Sequence, residues 1–376
     1  MKITLPYLGL VCALGASVSE VYGNLKNMTY PKFKTRIADG KEIPFGAAEI
    51  QNKKQMRCYD LIDCALDQIK ENINELKQKY SSDRLGIVLG SSNTGIHEAQ
   101  QQINKWIETG YCPSEFSFDE IELGTPAIYL KDRVGFSGPA YTVSTACSSS
   151  AKAFSSARNL IKEGICDAVL VGGADACCDF ALNGFYALEA LSDKQTNPFS
   201  KNRTGINLGE GAALFIMEKD VDGIELLGVG ETSDGYHLTH PDPEGKGALM
   251  AMQQALSDAK LSPEQVDYIN LHGTGTMAND DMESKAVYQL FGKDVLCAST
   301  KPLTGHALGA AGAIETALCW LMIKHNFIIP HVYDGIYDDT LPPINLAKSD
   351  VHKEIHTVLS NSFAFGGSNA SVILKG

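Results

Sequence analysis

The chain has 376 residues, is 44% hydrophobic and 20% charged, and so can build a large core as one big domain or two fused halves. A formal net charge of −13 excludes general binding to nucleic acid or to an anionic membrane surface, since both would repel it. Mean hydropathy near zero gives the composition of an ordinary soluble enzyme, and no apolar run reaches the roughly 18–20 residues that span a bilayer.

The apolar start, MKITLPYLGLVCALGAS, mimics a secretory leader, but Pro6 interrupts it and Lys2 is its sole charge. It is read as a first core strand running into a turn. Downstream, apolar strands alternate with amphipathic helices, the pattern of a layered α/β protein. In chain order the expected elements are a helix over 55–79, strands over 85–89 and 140–143, and a helix over 148–162. Strands over 168–171, 212–217 and 224–230 follow, then a helix over 247–259, a strand over 268–271 and helices over 281–290 and 307–324. Strands over 356–360 and 370–374 close the chain. The 10 cysteines include no CxxC pair, and surroundings such as Cys319 in ALCWLMI read as free thiols of a reducing, cytoplasmic protein.

One echo stands out. Residues 140–162 run strand, small-residue turn, Cys147, helix; residues 295–324 run strand, small-residue turn, His306, helix. Two similar halves, 1–220 and 221–376, would meet near the charged turn MEKDVDG and bring both helix starts to a shared interface.

Three residues at these turns carry the chemistry. Cys147 in TVSTACSSS is expected at a helix start, where unpaired N–H groups favour thiolate and receive an oxyanion. His272 in HGTGT ends a strand, the usual place for an active site in an open α/β sheet. His306 in TKPLTGHALGAAG is expected at a helix start whose dipole keeps the ring neutral. Two neutral imidazoles suit an enolate formed by loss of CO2. A zinc site on the same trio is the weaker alternative, because the spacing gives no support. Lys301 between strand and turn is expected to be buried, with Glu315 as its anion. The segment NSFAFGGSNAS, with Phe363, Phe365, Gly366 and Gly367, reads as a plain turn or a mobile aromatic gate. The remaining histidines are assigned to surface or core.

TACSSS, HGTGT, STKPLTGHALGAAG, NSFAFGGSN and PFSKNRTGINLGEGAA together resemble the β-ketoacyl-acyl-carrier-protein synthases of the thiolase superfamily, over essentially the whole chain. The resemblance implies a duplicated five-layered α-β-α-β-α fold, a homodimer or a heterodimer with a related subunit, and no cofactor or metal. It also implies that Cys147 accepts an acyl chain from acyl carrier protein. His272 and His306 would assist decarboxylation of malonyl-carrier protein, and the N–H groups of Cys147 and Phe365 would form the oxyanion hole. Lys301 and Glu315 match the supporting ion pair, and Phe363 and Phe365 the gating loop. Histidine at 306 favours an elongating member over an initiating one, and Cys147 argues against a non-elongating chain-length-factor-like subunit.

Departures bear on substrate. Gly275 and Ser148–Ser149 lean toward polyketide or aryl-polyene synthases, whereas GHALGAAG follows the fatty-acid pattern. Ala364 replaces a gate glycine, which would stiffen the loop. Ser200 and Thr204 replace aspartates of PFDxxRDG and leave those contacts open. An acidic carrier needs a local positive dock, for which Lys53, Lys54, Arg57 and Arg203 are the candidates.

Overall fold

The computed structural model describes residues 1–376 other than Gln55. The first half comprises β1 (Ile3–Val11), α1 (Arg57–Asp67), α2 (Lys70–Lys79), β2 (Leu85–Gly90), α3 (Thr125–Val134), β3 (Ala140–Val143), α4 (Ser149–Lys162), β4 (Ala168–Asp175) and β5 (Gly211–Lys219). The second comprises β6 (Ile224–Ser233), α5 (Lys246–Ala259), β7 (Tyr268–Asn270), α6 (Met277–Phe291), β8 (Leu296–Ala298), α7 (Ala311–His325), β9 (Thr357–Ala364) and β10 (Ser368–Lys375).

From its outer edge inward the first half is ordered β3-β2-β4-β5-β1; the second is ordered β8-β7-β9-β10-β6, with a two-residue strand, Asn345–Leu346, added parallel to β8 at its outer edge. Each half therefore reads third, second, fourth, fifth, first. The pairing senses repeat as well: two parallel pairs on the outer side, then two antiparallel pairs toward the centre. The halves join where Thr4 and Leu5 of β1 pair antiparallel with Glu225 and Ile224 of β6. This is the duplicated architecture that the echo between 140–162 and 295–324 suggested.

Helices α4 and α7 lie back to back in the middle layer. Their small residues permit close approach: a Cβ on Gly312 of α7 would stand 2.8 Å from the backbone nitrogen of Ala151 in α4. Helix α7 is buried from Ala311 through Met322, and a helix apolar on every side belongs in the centre. The core around α4 and α7 includes Phe154, Phe215, Leu318 and Leu321. A second apolar cluster seats α1, α2 and α3 on one outer face, and a third seats α5 and α6 on the other. The sequence α-β-α-β-α of layers follows.

Several elements depart from expectation. The helix over 55–79 is two helices, and its expected first residue, Gln55, lies outside the described residues. The break falls at Gln68–Ile69, where the Gln68 side chain donates to Leu10 O and Ala16 O (2.9 and 3.2 Å) and accepts from Val18 N–H (2.9 Å). Those bonds satisfy the end of β1 at the expense of a continuous helix. Helix α6 starts earlier than expected, because Thr276 caps it by accepting from Asn279 N–H. Helix α7 starts later, at Ala311, after a short helix Lys301–Thr304 and a 3-10 turn Leu308–Ala310. The hairpin of Lys34–Ala38 with Lys41–Phe45 and the helices Ile96–Thr109 and Asp179–Ala187 were not anticipated. The first residues form the buried strand β1, and among the described residues no helix is long and apolar enough to cross a membrane.

Candidate active site

The third strand of each half delivers one side of the site. After β3 the chain turns at Thr145–Ser148, where Ala146 takes the left-handed φ of 51°. That conformation is costly for a residue with a Cβ, and it swings Cys147 into the middle of the molecule. After β8 the chain passes through Lys301–Thr304, and His306 is then held by its backbone between Asn207 O (2.7 Å from His306 N) and Gly209 N (3.0 Å from His306 O). His306 Nε2 ends 3.0 Å from Cys147 Sγ. His272 follows β7, with its ring centroid 5.3 Å from that of His306. Cys147, His272 and His306 are all buried and line one pocket, walled by Phe185, Leu188, Ile206, Met277, Met282 and Phe363.

Electrostatics differ from the sequence expectation in two respects. Burial pushes the Cys147 thiol up to about 12, against the opposing pull of Lys301. The resting nucleophile is a thiol, not a thiolate, and must lose its proton to a neighbour. His306 is not at a helix start, since α7 begins at Ala311. Its ring is held well below the usual imidazole range by burial first and by the Lys301 charge second. Burial, Lys301 and His306 depress His272 in the same way.

Lys301 is almost wholly buried, ion-pairs with Glu315, and donates to His272 O at 2.7 Å. Its Nζ lies 3.5 Å from His272 Nδ1. An ammonium can only donate, so Nδ1 presents its lone pair and the ring proton sits on Nε2. Burial raises Glu315, and Lys301 opposes that shift. Among the described residues, Glu315 Oε2 and His306 Nδ1 are buried without a hydrogen-bond partner.

The ligand atoms of Cys147, His272 and His306 lie within 4.8 Å of one another, a spacing a metal ion would accept. The ammonium beside His272 makes the same space better suited to an anion.

The sequence reading missed the support beneath His272. Glu283 of α6 accepts from the N–H groups of His272 (2.8 Å) and Gly273 (2.7 Å), and burial raises its carboxyl to about 7. Asp280 accepts from Phe199 N–H at 2.8 Å and Gly275 N–H at 3.2 Å, and burial lifts it to about 6. Starting α6 at 281 left Asp280 outside the helix; a capping threonine followed by acids one turn apart at 280 and 283 was the available signal. Gly275 has φ 81°, and a Cβ there would come 2.4 Å from Thr196 Oγ1, so this turn excludes a side chain.

The gate segment follows β9. Ala364 is extended (φ −113°), so it imposes no strain of its own, while Gly366 and Gly367 take φ of 79° and 70°. Phe363 is buried with its ring 6.2 Å from His272, and Phe365 is half-buried 5.6 Å from Phe185. The contacts left open at Ser200 and Thr204 are made differently. Ser200 Oγ donates to the Asp334 carboxylate (2.9 Å to Oδ1), joined by Asn202 Nδ2 (2.8 Å to Oδ2), and Thr204 Oγ1 pairs with Ser192 Oγ at 2.7 Å.

The dock needs correction. Arg203 is buried, 2.6 Å from Asp338 and 3.8 Å from Asp280, so it presents no charge to a partner. Arg57 is spent on Glu210 (2.6 Å) and on Ala48 O, Ile50 O and Asn52. Lys53 and Lys54 are exposed on a turn whose N–H groups bind Asp60, and Lys54 Nζ is 3.6 Å from Asp63.

Known proteins place this geometry in context. Residues 25–222 match the N-terminal domain of beta-ketoacyl synthase and residues 224–333 its C-terminal domain. The 3-oxoacyl-[acyl-carrier-protein] synthase 2 of Coxiella burnetii is 31% identical, over 100% of this chain and 98% of the relative. That of Vibrio cholerae is 30% identical, over 94% and 91%. Among solved structures, the ketosynthase ApeO in complex with its chain length factor ApeC from Xenorhabdus doucetiae matches with a TM-score of 0.95 at 38% identity, covering 100% and 98%. A type II polyketide ketosynthase in complex with its acyl-carrier protein (AntDE:AntF) matches with a TM-score of 0.90 at 25% identity, covering 100% and 99%.

Proposed function

The chain belongs to the β-ketoacyl synthase family, and we propose that Cys147, His272 and His306 carry its decarboxylative Claisen condensation. The observation that carries this reading is the 3.0 Å contact between Cys147 Sγ and His306 Nε2, beside a second neutral imidazole and a buried ammonium. In the first half-reaction an acyl-carrier thioester enters the pocket. Sγ attacks its carbonyl as the thiol proton passes to His306 Nε2, which keeps it, and the carrier leaves as a thiolate that takes its proton from water. The N–H groups of Cys147 and Phe365 receive the oxyanion. In the second, malonyl-carrier protein loses CO2, and the enolate oxygen is met by the Nε2–H groups of His272 and His306. The enolate carbon attacks the acyl-Cys147 carbonyl, the C–S bond breaks, His306 Nε2 returns its proton to Sγ, and 3-oxoacyl-carrier protein departs.

The partners are acyl carrier protein and a second synthase subunit, as a homodimer or heterodimer. Lys53 and Lys54 remain as the carrier dock. The halves divide as 1–220 and 221–376. The likeness to the type II polyketide ketosynthase of AntDE:AntF, together with Gly275 and Ser148, supports specialised polyketide or polyene synthesis over housekeeping fatty-acid elongation. Buried free thiols such as Cys12 and Cys319 support a cytoplasmic location.

Intact mass after incubation with acyl-carrier protein tests the assignment. The enzyme gains one acyl group, Cys147→Ala gains none, and the acylated form releases CO2 from malonyl-carrier protein. Acylation elsewhere, or no CO2, would refute it in favour of a non-elongating subunit.

A further inference from the structure

Ser148 is the N-cap residue of α4, yet its side chain makes no capping bond. A serine at this position ordinarily accepts from the N–H of the second or third helical residue. Here the buried hydroxyl turns the other way. Its Oγ lies 2.8 Å from Thr145 O and 3.0 Å from Thr145 Oγ1, across the strained turn that carries Cys147. It also lies 3.0 Å from Ser368 Oγ, the first residue of β10, where the gate segment ends.

Apart from the Phe365 ring, which meets Phe185 of the first half, the backbone of the gate is tied within its own half, at the loop 234–242. Gly366 N–H donates to Leu238 O at 2.7 Å, and Asp234 N–H donates to Gly367 O at 2.8 Å. Neither of those bonds reaches the nucleophile. The Ser148–Ser368 contact does: it runs from the residue after Cys147 in the first half to the residue after the gate in the second.

We infer that Ser148 and Ser368 form a clasp that registers the gate against the nucleophile turn. One oxyanion has to be received by two N–H groups, those of Cys147 and Phe365, which belong to different halves and to different turns. The clasp sets the spacing between those turns when the gate is closed. A single neutral hydroxyl contact is weak enough to part at every turnover, so it fixes the closed position without locking it. Both serines are positioning residues, and the inference rests on the condensing reading above.

The test is a double-mutant cycle with Ser148→Ala and Ser368→Ala, reading condensation kcat, KM for malonyl-carrier protein and the melting temperature. Each single variant is expected to lower kcat by about three- to tenfold with KM and melting temperature nearly unchanged. The double variant is expected to be no worse than either single, and Ser368→Thr, which keeps the hydroxyl, to stay near wild type. Additive losses, or wild-type kcat in Ser368→Ala, would overturn the clasp; Ser368 is partly exposed, so its variant answers even if Ser148→Ala folds poorly. A wild-type protein that forms no 3-oxoacyl product refutes the condensing reading itself, a separate outcome.

Discussion

The two halves of this molecule repeat one strand order, but their third strands end differently. After β3 the chain turns once, at Ala146, and runs from Cys147 straight into α4. After β8 it inserts the short helix Lys301–Thr304 and the turn Leu308–Ala310 before α7 begins. The insertion moves His306 off the helix end and onto the sulfur of Cys147, and it buries Lys301 behind both imidazoles. One half thus supplies a nucleophile on a strained elbow. The other supplies the charge and the proton acceptor. Duplication built the frame, and the asymmetry of the two turns built the chemistry.

That division of labour can be broken most sharply at Lys301. Lys301→Ala leaves Glu315 buried without its cation, and should cost about 3–5 kcal/mol of stability along with most of the activity. Denaturant unfolding measures it, and Lys301→Ala/Glu315→Gln should recover part of the stability. A loss below about 1 kcal/mol would mean that the second half does not depend on this charge.

The pH profile is a finer probe. His272 and His306 lie well below the usual imidazole value, so both stay neutral as pH falls through that range and become charged only at lower pH. The histidine part of the acid limb of condensation kcat should therefore lie below the ordinary value of about 6.5, read in Glu283→Gln, which removes the adjacent carboxyl that burial raises to about 7. A limb centred on the ordinary value would show that burial and Lys301 do not set the protonation of these rings.

The smallest effect is expected at the surface of the first half. Lys54→Glu should weaken carrier binding only a few-fold at low salt and not at all at high salt, since exposed charges are screened within about 10 Å at 0.1 M. Binding measured across a salt series decides it, and unchanged affinity at low salt removes Lys54 from the dock.

Long periodic elements were readable from the chain. Strands such as 140–143 and 168–171, and the helix over 148–162, reappear within one residue at their starts, because their apolar spacing reports burial directly. The candidate trio was readable for a different reason: reactive side chains beside glycine and small residues mark turns at strand ends. The break at Gln68, by contrast, depends on carbonyls of Leu10 and Ala16 far away in sequence. The loss of Arg57 and Arg203 from the dock depends on Glu210 and Asp338, which no local pattern pairs with them. Glu283 was hidden in the same way, since its task is to hold two N–H groups of another segment.

By itself the sequence determined the layered α/β class, the internal echo, and which thiol and imidazoles stand at turns. These are local properties of periodicity and turn chemistry. Only the tertiary structure decided the protonation of the site and the true environment of each charge. Burial turned Cys147 from an expected thiolate into a thiol, replaced a helix dipole at His306 with desolvation and Lys301, and sent the Ser148 hydroxyl away from its helix. Desolvation and pairing depend on which distant segments enclose a group, and that information exists only once the two halves have closed on each other.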